Sequence, residues 1–344
     1  MIRTDLLIIG AGPVGLFTVF EAGLMKMRCH LIDALPQAGG QLKEIYPKKP
    51  IYDIPGFPSV LAGDLVDNLM EQAAPFKPGF TLGERAESIE ETPEGKFLVR
   101  TQQGTLHEAA AVIIAGGLGS FEPRRPQIEN LSRLENKGIH YIVKEPEAFL
   151  DGPLVISGGG DSALDWAIYF AQHSTHPIHL VHRSESFRAH KDSVSQAQDL
   201  AASGRIQLHT HAEVKAVSGE TTLEEVSIHS KEGDPIQVKT PYWLPLFGLS
   251  PKLGPIADWD LALEKNAIVV DHTLDFQTSR AGIYAVGDVN QYPGKLKLIL
   301  CGFHEATLAV QSAYKRVFPD KRFNMKYTTV QGVQGFEEKE SVVA

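Results

Sequence analysis

The stretch that decides the fold lies near the start of the chain and reads DLLIIGAGPVG, residues 5–15. Its first five residues are nearly all apolar, which is typical of a buried parallel strand. In the six residues that follow, Gly10 permits a tight turn, Gly12 lets the backbone approach a pyrophosphate, and Gly15 lets the next helix pack closely on the strand. The stretch therefore predicts a strand, a phosphate-binding turn and the start of a helix.

The residues after this loop complete the pattern of a dinucleotide-binding unit. A predicted helix over residues 16–23 directs its N-terminal amides at the phosphates. A second predicted strand, residues 28–32, ends at Asp33, where an acid about 20 residues beyond the loop binds ribose hydroxyls. A glycine loop alone can be an ordinary tight turn, but the strand, the spacing and the acid together favour dinucleotide binding.

A second loop of the same kind, GGGDSA, occupies residues 158–163. It follows a predicted strand at residues 153–157 and opens a predicted helix at residues 162–172. The two βαβ units form an internal repeat, and we expect the chain to bind two dinucleotides. A protein that binds two dinucleotides generally transfers electrons between them.

The strand after the second loop ends in positive charge. Predicted strand 177–181 is followed by His182 and Arg183, with Arg188 further on. Guanidinium groups suit a 2′-phosphate because their planar fork matches its oxygens. The second unit therefore favours NADP(H) over NAD(H), and the alternative is that these arginines are ordinary surface charges.

Longer motifs in the chain resemble those of thioredoxin-reductase-like flavoproteins. That family carries a CxxC shortly before the second glycine loop, whereas residues 138–144, GIHYIVK, contain no cysteine. The chain is more similar, over essentially its whole length, to the ferredoxin–NADP⁺ reductases of the thioredoxin-reductase-like type. The motifs that carry this resemblance are GGQL at 39–42, YP at 46–47, YDIPGFP at 52–58, GGGDSALDWA at 158–167, FRAH at 187–190, FGLSPKLG at 247–254, YAVGD at 284–288 and GKLKLILCGFHEA at 294–306.

The resemblance implies an α/β fold with two Rossmann-like dinucleotide-binding domains, the NADP domain being inserted in the FAD domain. It implies FAD-dependent electron transfer between NADPH and a ferredoxin or flavodoxin, first as a hydride to flavin N5 and then as single electrons by way of the semiquinone. No metal and no catalytic side chain are implied, since the flavin carries the chemistry. Relatives are homodimers, and we expect the same here.

The glycine loops and the resemblance together indicate which residues bind each cofactor. Tyr46 would cover one face of the flavin and Tyr327 the other, with Phe336 as a competitor for the second face. The expected FAD contacts are Gly10, Gly12, Val14, Gly15, Asp33, Gly40, Gln41, Tyr46, Ala86, Phe121, Asp288 and Thr329. The expected NADP contacts are Gly158, Gly160, Ala163, His182, Arg183 and Arg188.

A late helix is predicted to begin around residues 302–305, with an apolar face at Ala306, Ala309, Val310, Ala313 and Val317. Its positive end would point at the flavin and stabilise the reduced anion. We interpret His304 and Glu305 either as part of this site or as first-turn capping residues.

The motifs divide the chain into two domains. Residues 1–117 and 245–344 are expected to form the FAD-binding domain, and residues 118–244 the NADP(H)-binding domain. The other predicted elements are a hairpin of residues 97–101 and 105–108, a buried strand at 110–115, a second hairpin of residues 214–217 and 226–229, and a last parallel strand at 283–286.

The two cysteines, Cys29 and Cys301, lie far apart in the sequence and in apolar contexts. A redox dithiol usually needs a close pair such as C-x-x-C, and most isolated cysteines act as small hydrophobic residues. We therefore expect no thiol–disulfide chemistry. So few cysteines also fit a reducing cytoplasm.

The composition is that of a globular protein long enough for two domains, with 344 residues, 43% hydrophobic and 22% charged. No stretch approaches the ~20 apolar residues of a membrane span, and the chain begins directly with a predicted strand, so we expect neither a membrane segment nor a signal peptide. The formal net charge of −9 argues against nucleic-acid binding. An acidic ferredoxin would need a local basic patch, and the candidates, each of which is more simply explained as ordinary solvated surface charge, are Lys48 with Lys49, Arg124 with Arg125, Lys295 with Lys297, and Lys315 with Arg316.

Two other functions stay open at this point. One is an NADPH-dependent flavin disulfide or quinone reductase with another acceptor, although the missing CxxC counts against the disulfide version. The other is a flavoprotein that senses NADPH and binds a partner without turnover.

Overall fold

The structure, a computed structural model, describes residues 1–119, 122–231, 233–250, 252–322 and 328–337. The chain divides into two compact units, which we call the first unit (Met1–Phe121 with Pro251–Ala344) and the second unit (Glu122–Ser250). Each glycine loop lies in a different unit.

The helices and strands follow in chain order. In the first unit they are β1 (Ile2–Ile9), α1 (Pro13–Leu24), β2 (Cys29–Asp33), α2 (Gly40–Glu44), β3 (Pro50–Ile51), β4 (Val60–Leu61), α3 (Ala62–Ala73), β5 (Gly79–Leu82), β6 (Ala86–Glu91), β7 (Phe97–Thr101) and β8 (Leu106–Ile114). The second unit contains β9 (Glu122–Pro123), α4 (Leu131–Leu134), β10 (Leu154–Ser157), α5 (Asp161–His173), β11 (Ile178–Val181), α6 (Lys191–Ala202), β12 (Ile206–His209), β13 (Ala212–Ser218), β14 (Glu225–Ser230), β15 (Ile236–Lys239), β16 (Tyr242–Pro245) and β17 (Leu249–Ser250). The chain then returns to the first unit with β18 (Leu263–Glu264), β19 (Ala267–Val269), β20 (Ile283–Ala285), β21 (Asn290–Gln291), α7 (Ile299–Val317) and α8 (Thr328–Gln331).

A seven-stranded sheet forms the framework of the first unit. Strand β1 is central and pairs in parallel with β2 on one side and with β8 on the other. Strand β5 extends the sheet beyond β2, and β20 pairs in parallel with β8. The carboxyl ends of β1, β2, β8 and β20 therefore lie along one edge of the sheet, where a doubly wound fold binds its ligands.

Strand β8 changes its pairing partner along its length. Its first residues pair antiparallel with β7, which confirms the first predicted hairpin, and its last residues pair in parallel with β20. The prediction of a separate strand at residues 110–115 is wrong, because both halves belong to one strand that pairs with β1 throughout. Burial reflects the change, since residues alternate in the first half and are all buried in the last four.

The second unit has its own parallel sheet, in the order β12-β11-β10-β16, and a separate antiparallel sheet, β13-β14-β15. The first pair of the antiparallel sheet confirms the second predicted hairpin. Helix α5 buries Ala163, Leu164, Ala167 and Phe170 on the core beside β10. The strand, loop and helix around the second glycine loop therefore form as predicted.

The second unit begins and ends a few residues later in the chain than predicted, at residues 122 and 250 instead of 118 and 244. Strands β9 and β17 pair antiparallel with each other, which ties both connecting segments to the second unit. Lys252, just after this pair, donates its amide to the carbonyl of Leu118 and so belongs to the first unit. The cofactor assigned to each unit stays a prediction at this point.

Helix α1 packs closely on its neighbours because glycine occupies its positions of closest contact. A Cβ added to Gly15 would lie 2.0 Å from the carbonyl oxygen of Gly10, and one added to Gly23 would lie 2.1 Å from the ring of Phe76. The close helix–strand contact predicted at Gly15 is therefore present. In the part of the chain that the structure describes, no helix combines the length and the apolar character that crossing a membrane requires.

Candidate functional site

Several backbone segments of the first unit converge at the N-terminus of α1. A Cβ added to Gly10, whose φ is 109°, would lie 2.4 Å from the carbonyl oxygen of Ala115. A Cβ on Gly40 would lie 3.0 Å from the Cα of Gly12. These contacts leave room only for glycine, and they bring the backbone after β1, the start of α2 and the end of β8 to one place.

The end of β20 and the start of α7 reach the same place. A Cβ on Gly302 would lie 2.5 Å from Cγ2 of Val14 and 3.3 Å from the Cα of Gly287. Gly287 itself has a φ of 77° and a Cβ there would lie 3.4 Å from the same methyl group. Val14 is thus the side chain around which the first glycine loop, the turn at Gly287 and the first turn of α7 are packed.

The N-terminus of α1 carries positive charge that the protein leaves available. Gly12 is the N-cap residue, proline follows at the first helical position, no side chain caps the helix, and no acidic residue lies in its first turn. The amides of an uncapped helix end and the helix dipole both favour a bound anion. This cradle fits the pyrophosphate of a dinucleotide.

Asp33 joins the first glycine loop to the end of β2. Its Oδ2 accepts a hydrogen bond of 2.6 Å from the amide of Ala11, and its Oδ1 accepts one of 2.9 Å from the amide of Leu35. Burial raises the pKa of this carboxyl, and the two amide hydrogen bonds oppose that rise. Asp33 is therefore placed beside the loop as predicted, and it also holds the loop's backbone in position.

Tyr46 and Asp288 lie within electrostatic reach of each other. Burial, together with the negative charge of Asp288, raises the pKa of the Tyr46 phenol to about 12. The pKa of Asp288 is raised by its own burial, while Lys295 and Lys297 act to lower it. Tyr46, expected to cover the flavin, and Asp288, another expected FAD contact, are thus brought to the same region of the first unit.

The burial and the contacts of Glu305 were not predicted from the sequence. Helix α7 begins at Ile299, so Glu305 lies in its second turn, and the interpretation as a first-turn capping residue is wrong. The side chain is fully buried. Its Oε2 accepts from the amide of Gly287 at 2.7 Å and from Asn290 Nδ2 at 2.9 Å, and its Oε1 accepts from the hydroxyl of Tyr292 at 2.8 Å.

Glu305 also forms a buried ion pair. Its Oε1 lies 2.5 Å from Nζ of Lys295, and the side chains of the two residues are 0% and 2% exposed. Lys295 is therefore wrong as a candidate for an exposed basic patch. Arg316 also has a structural contact, since it donates to the carbonyl of Ala110 and covers the ring of Phe97.

The remaining residues expected at the flavin have different positions. Ala86 is buried at the start of β6, two residues after Glu84, whose amide donates to the carbonyl of Asp33. Gln41 lies in α2 with its Nε2 3.8 Å from where a Cβ on Gly117 would be. Thr329 is exposed in α8, and its role stays a prediction. Phe121 and Tyr327 lie outside the described residues.

Phe336 lies near the end of α1 that is remote from the glycine loop. Its ring packs edge-on against Phe76, which itself contacts Gly23 near the helix C-terminus, and the guanidinium of Arg28 lies 4.7 Å from its centroid. Its amide donates to the carbonyl of Pro75. These contacts make Phe336 an anchor of the C-terminal segment and argue against it as the second flavin-covering aromatic.

The second glycine loop is enclosed by the segment that follows β11. The amide of Arg188 donates to the carbonyl of Gly159 at 2.7 Å, and the amide of His190 donates to Oδ1 of Asp161 at 2.8 Å. A Cβ on Gly158 would lie 2.7 Å from the Cβ of Ala163. Loop and following helix are therefore as closely packed here as in the first unit.

The ring of His182 packs against the backbone of the second glycine loop at Gly159. His182 is buried, its ring stacks on Phe187, and a Cβ on Gly159 would lie 2.1 Å from its Cε1. Its Nε2 lies 3.1 Å from the carbonyl oxygen of Ser186 and 3.0 Å from the hydroxyl of Ser184. The ring thus has protein partners, and direct contact with a ligand stays a prediction.

Arg183 and Arg188 are both exposed beside His182. Burial lowers the pKa of His182, and the charges of Arg183 and Arg188 lower it further, so both guanidinium groups lie close to this ring. The Arg183 and Arg188 guanidinium groups form no ion pair with the acidic residues that the structure describes. Two such cations at the end of β11 fit an added phosphate group.

Both cysteines are free. Cys29 is buried in β2, where burial raises the pKa of its thiol, and Cys301 is half-buried in α7. A buried thiol with a raised pKa is a poor nucleophile.

Comparison with known proteins gives consistent similarities. Residues 4–313 match the model of the family described as pyridine nucleotide-disulphide oxidoreductase. The chain is 61% identical over 340 residues to ferredoxin–NADP reductase 1 of Christiangramia forsetii, covering 98% of this chain and 96% of that one. It is 58% identical over 337 residues to the ferredoxin–NADP reductase of Flavobacterium johnsoniae, with the same coverage of 98% and 96%.

Solved structures of similar shape include thioredoxin reductases. That of T. acidophilum matches with a TM-score of 0.78 at 22% identity, and that of Lactococcus lactis with a TM-score of 0.76 at 23% identity. Each match covers 92% of this chain and 99% of the other. These similarities confirm the predicted fold class with its two dinucleotide-binding domains.

Proposed function

We infer that this chain is an FAD-dependent enzyme that transfers electrons between NADPH and ferredoxin. It belongs to the pyridine nucleotide-disulphide oxidoreductase family, and within it to the ferredoxin–NADP reductases of the thioredoxin-reductase-like type. The observation that carries the proposal is a glycine cradle in each unit with opposite charge beside it. Asp33 lies beside the first cradle, and Arg183 and Arg188 lie beside the second.

The first unit is proposed to hold FAD. Its narrow glycine backbone and the uncapped end of α1 suit the pyrophosphate. Asp33, beside the loop, suits a ribose. We propose that Asp288, which follows β20, accepts a hydrogen bond from the ribityl chain and that Tyr46 covers the ring. The proposed FAD contacts are the twelve residues expected from the sequence, among which Phe121 and Thr329 rest on the resemblance alone.

The second unit is proposed to hold NADPH. Helix α5 has no side-chain cap at its N-cap residue Gly160, and its first-turn acid, Asp161, accepts from the amide of His190. The backbone amides at this end of α5 suit the pyrophosphate. Arg183 and Arg188 would bind the 2′-phosphate, since both side chains are exposed and the charge of each acts on His182 at the end of β11. The domain assignment follows from this, with the FAD domain formed by the two ends of the chain and the NADP(H) domain by the segment between them.

FAD, when bound, accepts a hydride from NADPH and releases electrons one at a time to ferredoxin. The protein contributes binding and electrostatics. Leu298, the N-cap residue of helix α7, provides no side-chain cap, and no acidic residue lies in the first turn of the helix. This end of the helix is available to stabilise negative charge on a group bound beside Gly287 and Gly302.

Ferredoxin is the proposed protein partner, because the similar proteins from Christiangramia and Flavobacterium carry that name. We extend the proposal to flavodoxin as an alternative acceptor, to a homodimer and to a cytoplasmic location. The resemblance supports the first two, and two free cysteines, neither in a disulfide, support the third.

The proposal is tested by NADPH-driven reduction of cytochrome c with the purified FAD-loaded protein, with and without a bacterial ferredoxin. We expect the rate to depend strongly on ferredoxin. A rate that ferredoxin leaves unchanged, measured alongside flavin that NADPH does reduce, would leave both cofactors in place and show that the acceptor is wrong.

A further inference from the structure

The carboxylate of Glu305 accepts hydrogen bonds from several residues of the segment between β20 and α7. The two oxygens of Glu305 together receive hydrogen bonds from the backbone of Gly287 and from the side chains of Asn290, Tyr292 and Lys295. The donors span the segment that carries Asp288. A fully buried carboxylate with this many donors is well compensated for the loss of water.

The bond to the amide of Gly287 acts directly on Asp288. Gly287 is held at a φ of 77° against Val14, and its amide is oriented by Oε2 of Glu305. The Asp288 side chain leaves the backbone one residue later. The direction of the Asp288 side chain therefore depends on the Gly287 amide, which donates its hydrogen bond to a carboxylate of α7.

Lys295 links the charges of the two carboxylates. It is paired with Glu305 in the interior, and its charge also acts on Asp288, lowering a pKa that burial raises. Removing Glu305 alone leaves Lys295 buried without its partner, which is strongly unfavourable. The segment would then rearrange to bring the ammonium group to water or to Asp288.

We propose that Glu305 is a positioning residue, which holds the turn at Gly287 and Asp288 in the shape that binds FAD. It does so by accepting the hydrogen bond from the Gly287 amide, and its charge neutralises the buried Lys295, which would otherwise disturb the segment. The inference rests on the proposed FAD site and on no property of the acceptor.

The test measures the dissociation constant of FAD from flavin fluorescence, after removal and re-addition of FAD, for a set of variants. Glu305→Leu should weaken FAD binding at least tenfold, because it leaves the Gly287 amide and Lys295 without a partner. Glu305→Gln alone should also weaken binding, since an amide cannot accept from Gly287, Tyr292 and Lys295 together. The double variant Glu305→Gln with Lys295→Met should restore binding to within threefold of the wild type.

Val310→Ala is the control for a general loss of packing. Val310 is fully buried in the same helix and makes no hydrogen bond to the turn. It should lower the melting temperature while FAD binds as in the wild type. If Glu305→Leu does not fold, the glutamine single and double variants decide the question.

The proposal is overturned if the Glu305→Gln single variant binds FAD like the wild type. It is equally overturned if the double variant stays as weak as the single one, or if Val310→Ala loses as much affinity. Absence of ferredoxin-dependent activity in all variants and in the wild type would count against the proposed function only, because FAD binding is measured without an acceptor.

Discussion

Oδ2 of Asp33 accepts a hydrogen bond of 2.6 Å from the backbone amide of Ala11. The same carboxylate that is proposed to bind the ribose therefore also fixes the glycine loop that is proposed to bind the pyrophosphate. Its other oxygen accepts from the amide of Leu35, so each oxygen already accepts one hydrogen bond within the protein and can accept another from a ribose hydroxyl.

Asp33→Asn should weaken FAD binding about tenfold or more. The amide group replaces one accepting oxygen by a donor that faces a backbone N–H, and a hydrogen bond to a charged group contributes about 1.5–3 kcal/mol. The measurement is FAD affinity by fluorescence. Asp5→Asn is a matched control, since Asp5 in the middle of β1 accepts from the amide of Arg28, just before β2 and remote from Asp33 at the other end of that strand. Equal losses in both variants would contradict a specific role for Asp33.

Arg183→Ala should raise KM for NADPH about ten- to a hundredfold and leave KM for NADH nearly unchanged. The physical reason is that only NADPH carries the 2′-phosphate that the guanidinium would bind. Steady-state reduction of ferricyanide separates the two substrates without ferredoxin. Arg133→Ala serves as control, because Arg133 is an exposed arginine of the same unit bonded to the carbonyl of Gly219. Parallel losses with NADPH and NADH would remove the 2′-phosphate assignment.

Gly159→Ala should weaken NADPH and NADH equally, by about fivefold or more. The added methyl group would collide with the ring of His182 and displace the loop backbone that both dinucleotides share. Adding His182→Ser opens space and should recover part of the affinity. Preserved binding in Gly159→Ala, or loss of NADPH alone, would show that His182 does not support the loop.

Acid should destabilise the protein through its buried histidines. Burial, together with the nearby His107, lowers the pKa of His30 from 6.5 to about 4. Between about pH 6.5 and 4, His30 is therefore protonated in the unfolded chain and neutral in the folded chain. The free energy of unfolding falls as the pH decreases through this range, so the stability that His30 contributes above about pH 6.5 is lost toward pH 4.

His30→Leu should flatten this pH dependence by about 2 kcal/mol between pH 6.5 and 4.5. Urea unfolding followed by fluorescence over that range provides the measurement. His304→Gln, at an exposed position of α7, should leave the curve of the wild type unchanged. A curve for His30→Leu that remains as steep as that of the wild type would show that His30 is not responsible.

Phe336→Ala should release the C-terminal segment and leave the flavin unaffected. The ring packs on Phe76 beneath Arg28, and its loss removes about 1–2 kcal/mol of local packing. Hydrogen exchange should show faster exchange in residues 328–337, with an unchanged visible spectrum of the bound FAD. A shifted flavin spectrum would instead identify Phe336 as the aromatic that covers the ring.

The parts of the fold that the sequence predicts best are those that local rules determine. Both glycine loops follow apolar strands and open helices, because turn geometry and helix–strand contact each demand glycine at a known spacing. Asp33 and Arg183 follow from the same spacing. These features depend on neighbours in the sequence, and the structure places all of them at the ends of the expected strands.

The parts that could not be predicted depend on contacts distant in the chain. A glutamate near the start of a helix is usually a surface residue of its first turn, and nothing local shows that Glu305 is buried under the segment after β20. The double pairing of β8 likewise depends on β20, which follows after the entire second unit. Phe336 could be separated from the flavin site only once its contact with Phe76 was known.

We expect electrons to pass from NADPH through FAD to ferredoxin on this chain. The most direct measurement is an anaerobic spectral titration of the FAD-loaded protein with NADPH, followed by addition of oxidised ferredoxin. NADPH should bleach the flavin absorbance, and ferredoxin should restore it while becoming reduced itself. Flavin that stays bleached in the presence of oxidised ferredoxin would show that ferredoxin is not the acceptor.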